Sequence, residues 1–113
     1  MAKKKGGNKD EGKMKAANAI KVRHILTDKY GQALDAIKRL DDGESFEKVA
    51  MAMSIDKARQ GGSLGWQTRG QMIGDFQELA FQLPVSTSNA PVFNREPLKT
   101  KFGYHVIMVE ERK

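Results

Sequence analysis

Hydrophobic and polar positions follow two periods along this chain. In the stretch IKVRHIL, residues 20–26, Ile20, Val22 and Leu26 alternate onto one face of a strand, and His24 falls on that same face. The stretch HVIMVEE, starting at residue 105, repeats the device with His105, Ile107 and Val109. These are the chain's only two histidines. A polar group left unpaired in an apolar register costs about 1 to 3 kcal/mol, so both imidazoles require partners.

Between those strands the period changes to that of a helix. GQALDAIKRLDDG sets Ala33, Ala36, Ile37 and Leu40 at helical spacing and ends in Gly43. SFEKVAMAMS offers Ser45 as N-cap, Glu47 in the first turn, and Phe46, Val49, Ala50 and Met53 on one face. IDKARQGG holds at most one turn before Gly61 and Gly62, and LGWQTRG reads as a short strand. DFQELAFQLP predicts the last helix, with capping-box spacing at Asp75 and Glu78, a stripe of Phe76, Leu79, Ala80 and Leu83, and a stop at Pro84. From Asn89 onward the chain reads as strands interrupted at Pro91, Pro97 and Gly103. The order of strand, helices, strand, helix, strands predicts an α+β domain with an antiparallel or mixed sheet.

At 113 residues the chain has room for one domain. No run approaches the ~18 apolar residues of a membrane span, and no secretory pattern opens the sequence, so the expectation is a soluble intracellular protein with no membrane partner. The absence of cysteine excludes disulfides, thiolate nucleophiles and cysteine-ligated metals. The net charge of +6 is concentrated at one end. Residues 1–19 carry Lys3, Lys4, Lys5, Lys9, Lys13 and Lys15 against two acids, and the remainder carries 14 basic against 12 acidic groups. With almost no large apolar residue, residues 1–19 read as a flexible basic tail, and residues 20–113 as the folded domain. Its lysines suit weak, salt-sensitive contact with DNA or RNA phosphates, without aromatic residues for base stacking.

Two motifs point elsewhere and are outweighed. GGSLG, residues 61–65, matches the nucleophile-elbow pattern around Ser63, but an elbow needs a strand before the serine and a helix after it, the reverse of the order here. A glycine-rich turn entering a strand is the better reading. Two histidines and a carboxylate also suit a facial metal triad, yet no spacing puts both imidazoles on one element. Met72 and Phe76, taken alone, read as core residues.

Several stretches together resemble the parvulins, a family of peptidyl-prolyl cis/trans isomerases: VRHIL, SIDKARQGGSLGWQTRGQM, FQELAFQLP, PVF and KTKFGYHVIMVEERK, in order from Ile20 to Lys113. The likeness is greatest to small eukaryotic parvulins with a lysine- and glycine-rich N-terminal extension in place of a WW domain. It implies an FKBP-like fold, a four-stranded, mostly antiparallel sheet flanked by about four helices. It implies that His24 and His105 lie together on the floor of the active site, bonded to each other and to Thr100, with Asp56 beside them. It places proline-binding residues at Leu64, Met72 and Phe76, with Tyr104 and Trp66 nearby. The activity implied is isomerisation of X-Pro bonds in proline-containing polypeptides by a monomer, with no cofactor and no metal, in nucleus and cytoplasm. A second reading is a proline-segment binding or chaperone module tethered by its tail to nucleic acid or pre-ribosomal particles. Ser63 departs from the acid that many relatives carry before LG. The TDKYGQ loop lacks the basic cluster of phosphate-directed members, so no preference for phosphorylated substrates is expected.

Overall fold

The computed structural model describes residues 17–113. Its elements are β1 (Ala19–Thr27), α1 (Tyr30–Asp41), α2 (Phe46–Met53), a one-turn 3-10 helix (Ala58–Gln60), β2 (Ser63–Thr68), α3 (Gly74–Gln82), β3 (Leu98–Thr100) and β4 (Gly103–Arg112). The sheet order is β2-β1-β4-β3, with every neighbouring pair antiparallel. This is the predicted α+β architecture. No helix among the described residues is long and apolar enough to cross a membrane.

The sheet separates two cores. On one face Ile25, Val106 and Met108 meet Ala33, Ala36, Ile37 and Leu40 of α1 and Phe46, Val49 and Ala50 of α2. On the other, Ile20, Val22, Ile107 and Val109 meet Phe76, Ala80 and Phe81 of α3, with Leu83. Burial on both faces explains why VIMV in β4 is continuously apolar, whereas a half-exposed strand would alternate. His24 and His105 have the same parity as the second set and therefore lie on the α3 face.

Helix α2 starts as predicted, with Ser45 Oγ accepting from the Lys48 amide at 3.1 Å. The Ser88 hydroxyl takes the neighbouring Glu47 amide at 2.8 Å. The capping box predicted for α3 does not form: Ile73 is the N-cap, without a side-chain cap bond, and Asp75 sits inside the first turn. There its charge faces the positive end of the helix dipole instead of capping it. Strands were also expected from Asn89, but 89–97 has only an isolated bridge at Ala90, and the side chain of Asn94 takes over the ladder's role. Its amide donates to the His105 carbonyl at 3.0 Å and accepts from the Ile107 amide at 2.8 Å. The tail expected over residues 1–19 lies outside the described residues as far as 16. Of the last three residues of that stretch, Ala17 is buried, and the amides of Asn18 and Ala19 both donate to the Lys113 carbonyl at 2.8 and 2.9 Å.

Two bulges flank Val22. Against β1, β2 carries one extra residue, Leu64, between Ser63 and Gly65; β4 carries one extra, Glu110, between Val109 and Glu111. A bulge bends its strand and re-aims the extra side chain.

Gly62 enters this framework at closest approach. With φ of +82°, it lies so near β1 that a Cβ would fall inside the van der Waals envelope of the His24 carbonyl oxygen. Gly62→Ala is expected to cost about 2 to 4 kcal/mol of stability, combining left-handed strain with displaced backbone. Urea unfolding measures it; a loss below about 1 kcal/mol would show that the strands yield freely there.

Candidate active site

The two histidines are diagonal neighbours across β1 and β4, since His24 pairs with Ile107 and His105 with Leu26. That offset, on one face, brings their rings within reach of each other. The Nδ1 atoms lie 3.0 Å apart, His24 Nε2 is 2.9 Å from Asp56 Oδ2, and His105 Nε2 is 2.7 Å from Thr100 Oγ1. The structure thus brings together all four residues that the resemblance named. Phe76 meets both imidazoles edge-on, at centroid distances of 5.7 and 5.1 Å.

Donor and acceptor counting fixes the order of protons along this row. With Asp56 a carboxylate, it can only accept, so His24 carries its proton on Nε2 and offers the Nδ1 lone pair. Neutral His105 then donates from Nδ1 and accepts at Nε2 from the Thr100 hydroxyl, whose oxygen also accepts from the Phe102 amide at 3.1 Å. Every ring nitrogen is engaged, so neither imidazole keeps a free lone pair for a metal. Burial pushes the His105 pKa down to about 4, with the neighbouring His24 adding to the fall. His24 is lowered as well, chiefly by burial, while the Asp56 carboxylate pulls in the opposite direction.

Asp56 owes its place to a loop fastened onto β1. Ser54 Oγ accepts from the Leu26 amide at 3.0 Å and donates to the Asp56 carbonyl at 2.6 Å, while the Ile55 amide donates to the Leu26 carbonyl at 2.8 Å. The carboxylate itself stays about two-fifths exposed, reachable by a ligand.

Two cavities open over this floor. One, of about 180 Å³, is lined by Leu64, Met72 and Phe76 together with Gln67, Gln71, Ile73, Phe102 and His105. Leu64 reaches it from the β2 bulge. The other, of about 410 Å³, is lined by His24, Leu26, Ile55, Asp56, Phe102 and His105. Phe102 and His105 belong to both. Tyr104, expected near the pocket, is turned to the opposite face by strand alternation, where its ring meets Tyr30 at 5.7 Å and it packs against the α1–α2 core. Trp66 is likewise apart, 4.3 Å from the Lys113 ammonium. Phe102 and Asn94 escaped the sequence reading, the first as a lone exposed aromatic in a turn and the second as an ordinary loop residue. Ser63 opens β2, its Oγ accepting from the Gly65 amide at 3.2 Å, as a glycine-rich turn requires.

Comparison with known proteins identifies the family. The family model described as a PPIC-type PPIASE domain matches residues 8–113. The chain is 48% identical to the peptidyl-prolyl cis-trans isomerase PIN4 of Gibberella zeae, over 98% of this chain and 90% of that protein. Among solved structures, NmPin, the parvulin of Nitrosopumilus maritimus, superposes with a TM-score of 0.71 at 39% identity, covering 84% of this chain and 98% of that one. PrsA from Bacillus subtilis gives 0.75 at 36% identity, over 84% of this chain but only 36% of that longer chain.

The depressed pKa makes a pH prediction. The unfolded chain binds the His105 proton near 6.5 and the folded chain near 4, so the unfolded state holds more protons between those values. Stability is therefore full above about pH 6.5 and falls as pH drops toward 4, by on the order of 3 kcal/mol for this group. Ring resonances followed by NMR should show His105 unprotonated down to about pH 4.5, with thermal midpoints falling across the window. A His105 ring titrating near 6.5 would contradict the assignment.

Proposed function

The chain belongs to the parvulin-type family of peptidyl-prolyl cis/trans isomerases and is an enzyme of that class, and we propose that it acts on X-Pro bonds without requiring phosphate before the proline. The observation that supports this reading is the junction of an apolar cavity with an acidic one over a shared histidine floor.

The prolyl amide resists rotation because of its partial double bond, with a barrier of roughly 18 to 20 kcal/mol. Nothing covalent is needed; the enzyme has to favour the twisted amide over both planar forms. In our reading the proline ring enters the cavity of Leu64, Met72 and Phe76, which strips water from the amide. Planarity depends on charge separation between carbonyl oxygen and nitrogen, so desolvation weakens the planar form relative to the twisted one. The Asp56 carboxylate beside the second cavity opposes negative charge on the carbonyl oxygen and acts in the same direction. His24, His105 and Thr100 hold the floor and present Asp56, with no proton transferred. A phosphate before the proline would face Asp56, and the loop after β1 offers only exposed Lys29 beside Asp28 as counter-charge.

Peptides with varied residues before proline test this reading. Asp56→Ala should lower kcat/KM by about 10- to 100-fold, while His24→Asn keeps the fold and most of the activity. A phosphoserine-proline peptide should be turned over no faster than its unmodified form. A fully active Asp56→Ala, or a clear preference for the phosphopeptide, would overturn it.

The proposal extends to the small type of the family, monomeric, with a lysine- and glycine-rich N-terminal segment, working in nucleus and cytoplasm. Lys3, Lys4, Lys5, Lys9, Lys13 and Lys15 would attract nucleic-acid phosphates. Deleting residues 1–16 should then weaken binding to a duplex DNA and flatten its salt dependence, and unchanged binding would remove those lysines from the reading.

A further inference from the structure

From the far side of the sheet, we infer that Arg23 is a positioning residue for Asp56, clamping the loop that delivers the carboxylate to His24. This rests on the role proposed for Asp56. Arg23 precedes His24 on β1, so its side chain leaves by the opposite face, away from both cavities. There the guanidinium makes three bonds: Nε donates to Glu110 Oε2 at 2.8 Å, and Nη1 donates to the carbonyls of Gln60 and Gly61 at 3.0 and 2.9 Å. Both ionic side chains are largely buried, at 16% and 19% exposed. Glu110 reaches this position as the extra residue of the β4 bulge.

The clamp acts on a strained turn. Lys57, next to Asp56, is the only non-glycine residue with positive φ among the described residues, at φ 57° and ψ 24°. A lysine takes that conformation only where its surroundings impose it. Its carbonyl accepts from the amides of Gln60 and Gly62, at 3.0 and 2.8 Å, closing the turn, and the Gly62 carbonyl accepts from the His24 amide at 2.9 Å. The loop is therefore pinned to β1 at both ends, by Leu26 before Asp56 and by Arg23 and the His24 amide after it. Gly61 fits between the Glu47 side chain and the guanidinium because it has no side chain of its own: a Cβ there would run into Glu47 Cγ and lie 2.7 Å from Arg23 Nη1. A lysine at position 23 keeps the charge beside Glu110 but lacks the planar fork that spans three acceptors.

A double-mutant cycle separates positioning from general support. In otherwise native protein, Arg23→Lys should lower kcat/KM about 10-fold, mainly through kcat, and move the NMR resonance of the His24 Nε2 proton. In the Asp56→Ala background the same change should cost less than about twofold. Glu110→Gln, which keeps an oxygen for Arg23 Nε, serves if the lysine variant does not fold. It should lower kcat/KM about two- to threefold, again only when Asp56 is present. An equal loss with and without Asp56, or no loss in either variant, would overturn the inference. An Asp56→Ala protein that is itself fully active would instead overturn the proposed function.

Discussion

Two imidazoles buried side by side in a sheet carry four ring nitrogens, and each needs a partner because water is excluded. Here the debt is met by a single file of bonds from Asp56 through His24 and His105 to Thr100. Each member's proton position is dictated by the member before it, so the file has a direction set at its carboxylate end. At its other end, Thr100 Oγ1 holds the amide of Phe102, the ring that both cavities share. The arrangement of the pocket wall and that of the acidic group are therefore joined by hydrogen bonds through the floor.

The surrounding framework serves to keep this file in place. β1 and β4 supply the diagonal offset, Asn94 secures the backbone on either side of Val106, and the edge-on Phe76 covers both rings. Departures from regular structure gather here. The bulges put Leu64 in the pocket and Glu110 beneath Arg23, and the left-handed Lys57 follows Asp56 directly. A regular sheet with a relaxed loop would place none of these three side chains as found.

Much of this was legible in the sequence because it depends on periodicity. The apolar registers of β1 and β4 place both histidines on one face, and the stripes of α1 and α2 match their buried sides, while that of α3 finds Phe76 and Ala80 but misses buried Phe81. What failed depended on contacts distant in the chain. Alternation assumes an unbroken ladder and gives no sign of an extra residue, so neither bulge could be foreseen. The capping box at Asp75 and Glu78 had correct spacing, but the helix began two residues too early to use it. Asn94 does the work of a strand with a side-chain amide, which no strand pattern anticipates. Asp56 came from family likeness alone, since nothing in the local period marks it. Tyr104 was placed near the pocket by the same family likeness, yet it neighbours His105 on β4, and adjacent strand residues point to opposite faces.

The backbone bonds joining Asn18 and Ala19 to Lys113 have an architectural meaning. Entry to the first strand and exit from the last lie side by side on the two central strands of the sheet. A module of this kind can be spliced into a host polypeptide through one loop, like a bead whose two threads leave by the same hole, with no strand displaced. Its presence as about a third of the longer PrsA chain is consistent with such modular reuse. The same geometry makes the domain a natural subject for circular permutation, with residues 18 and 113 joined by a short linker and new ends opened in a surface loop.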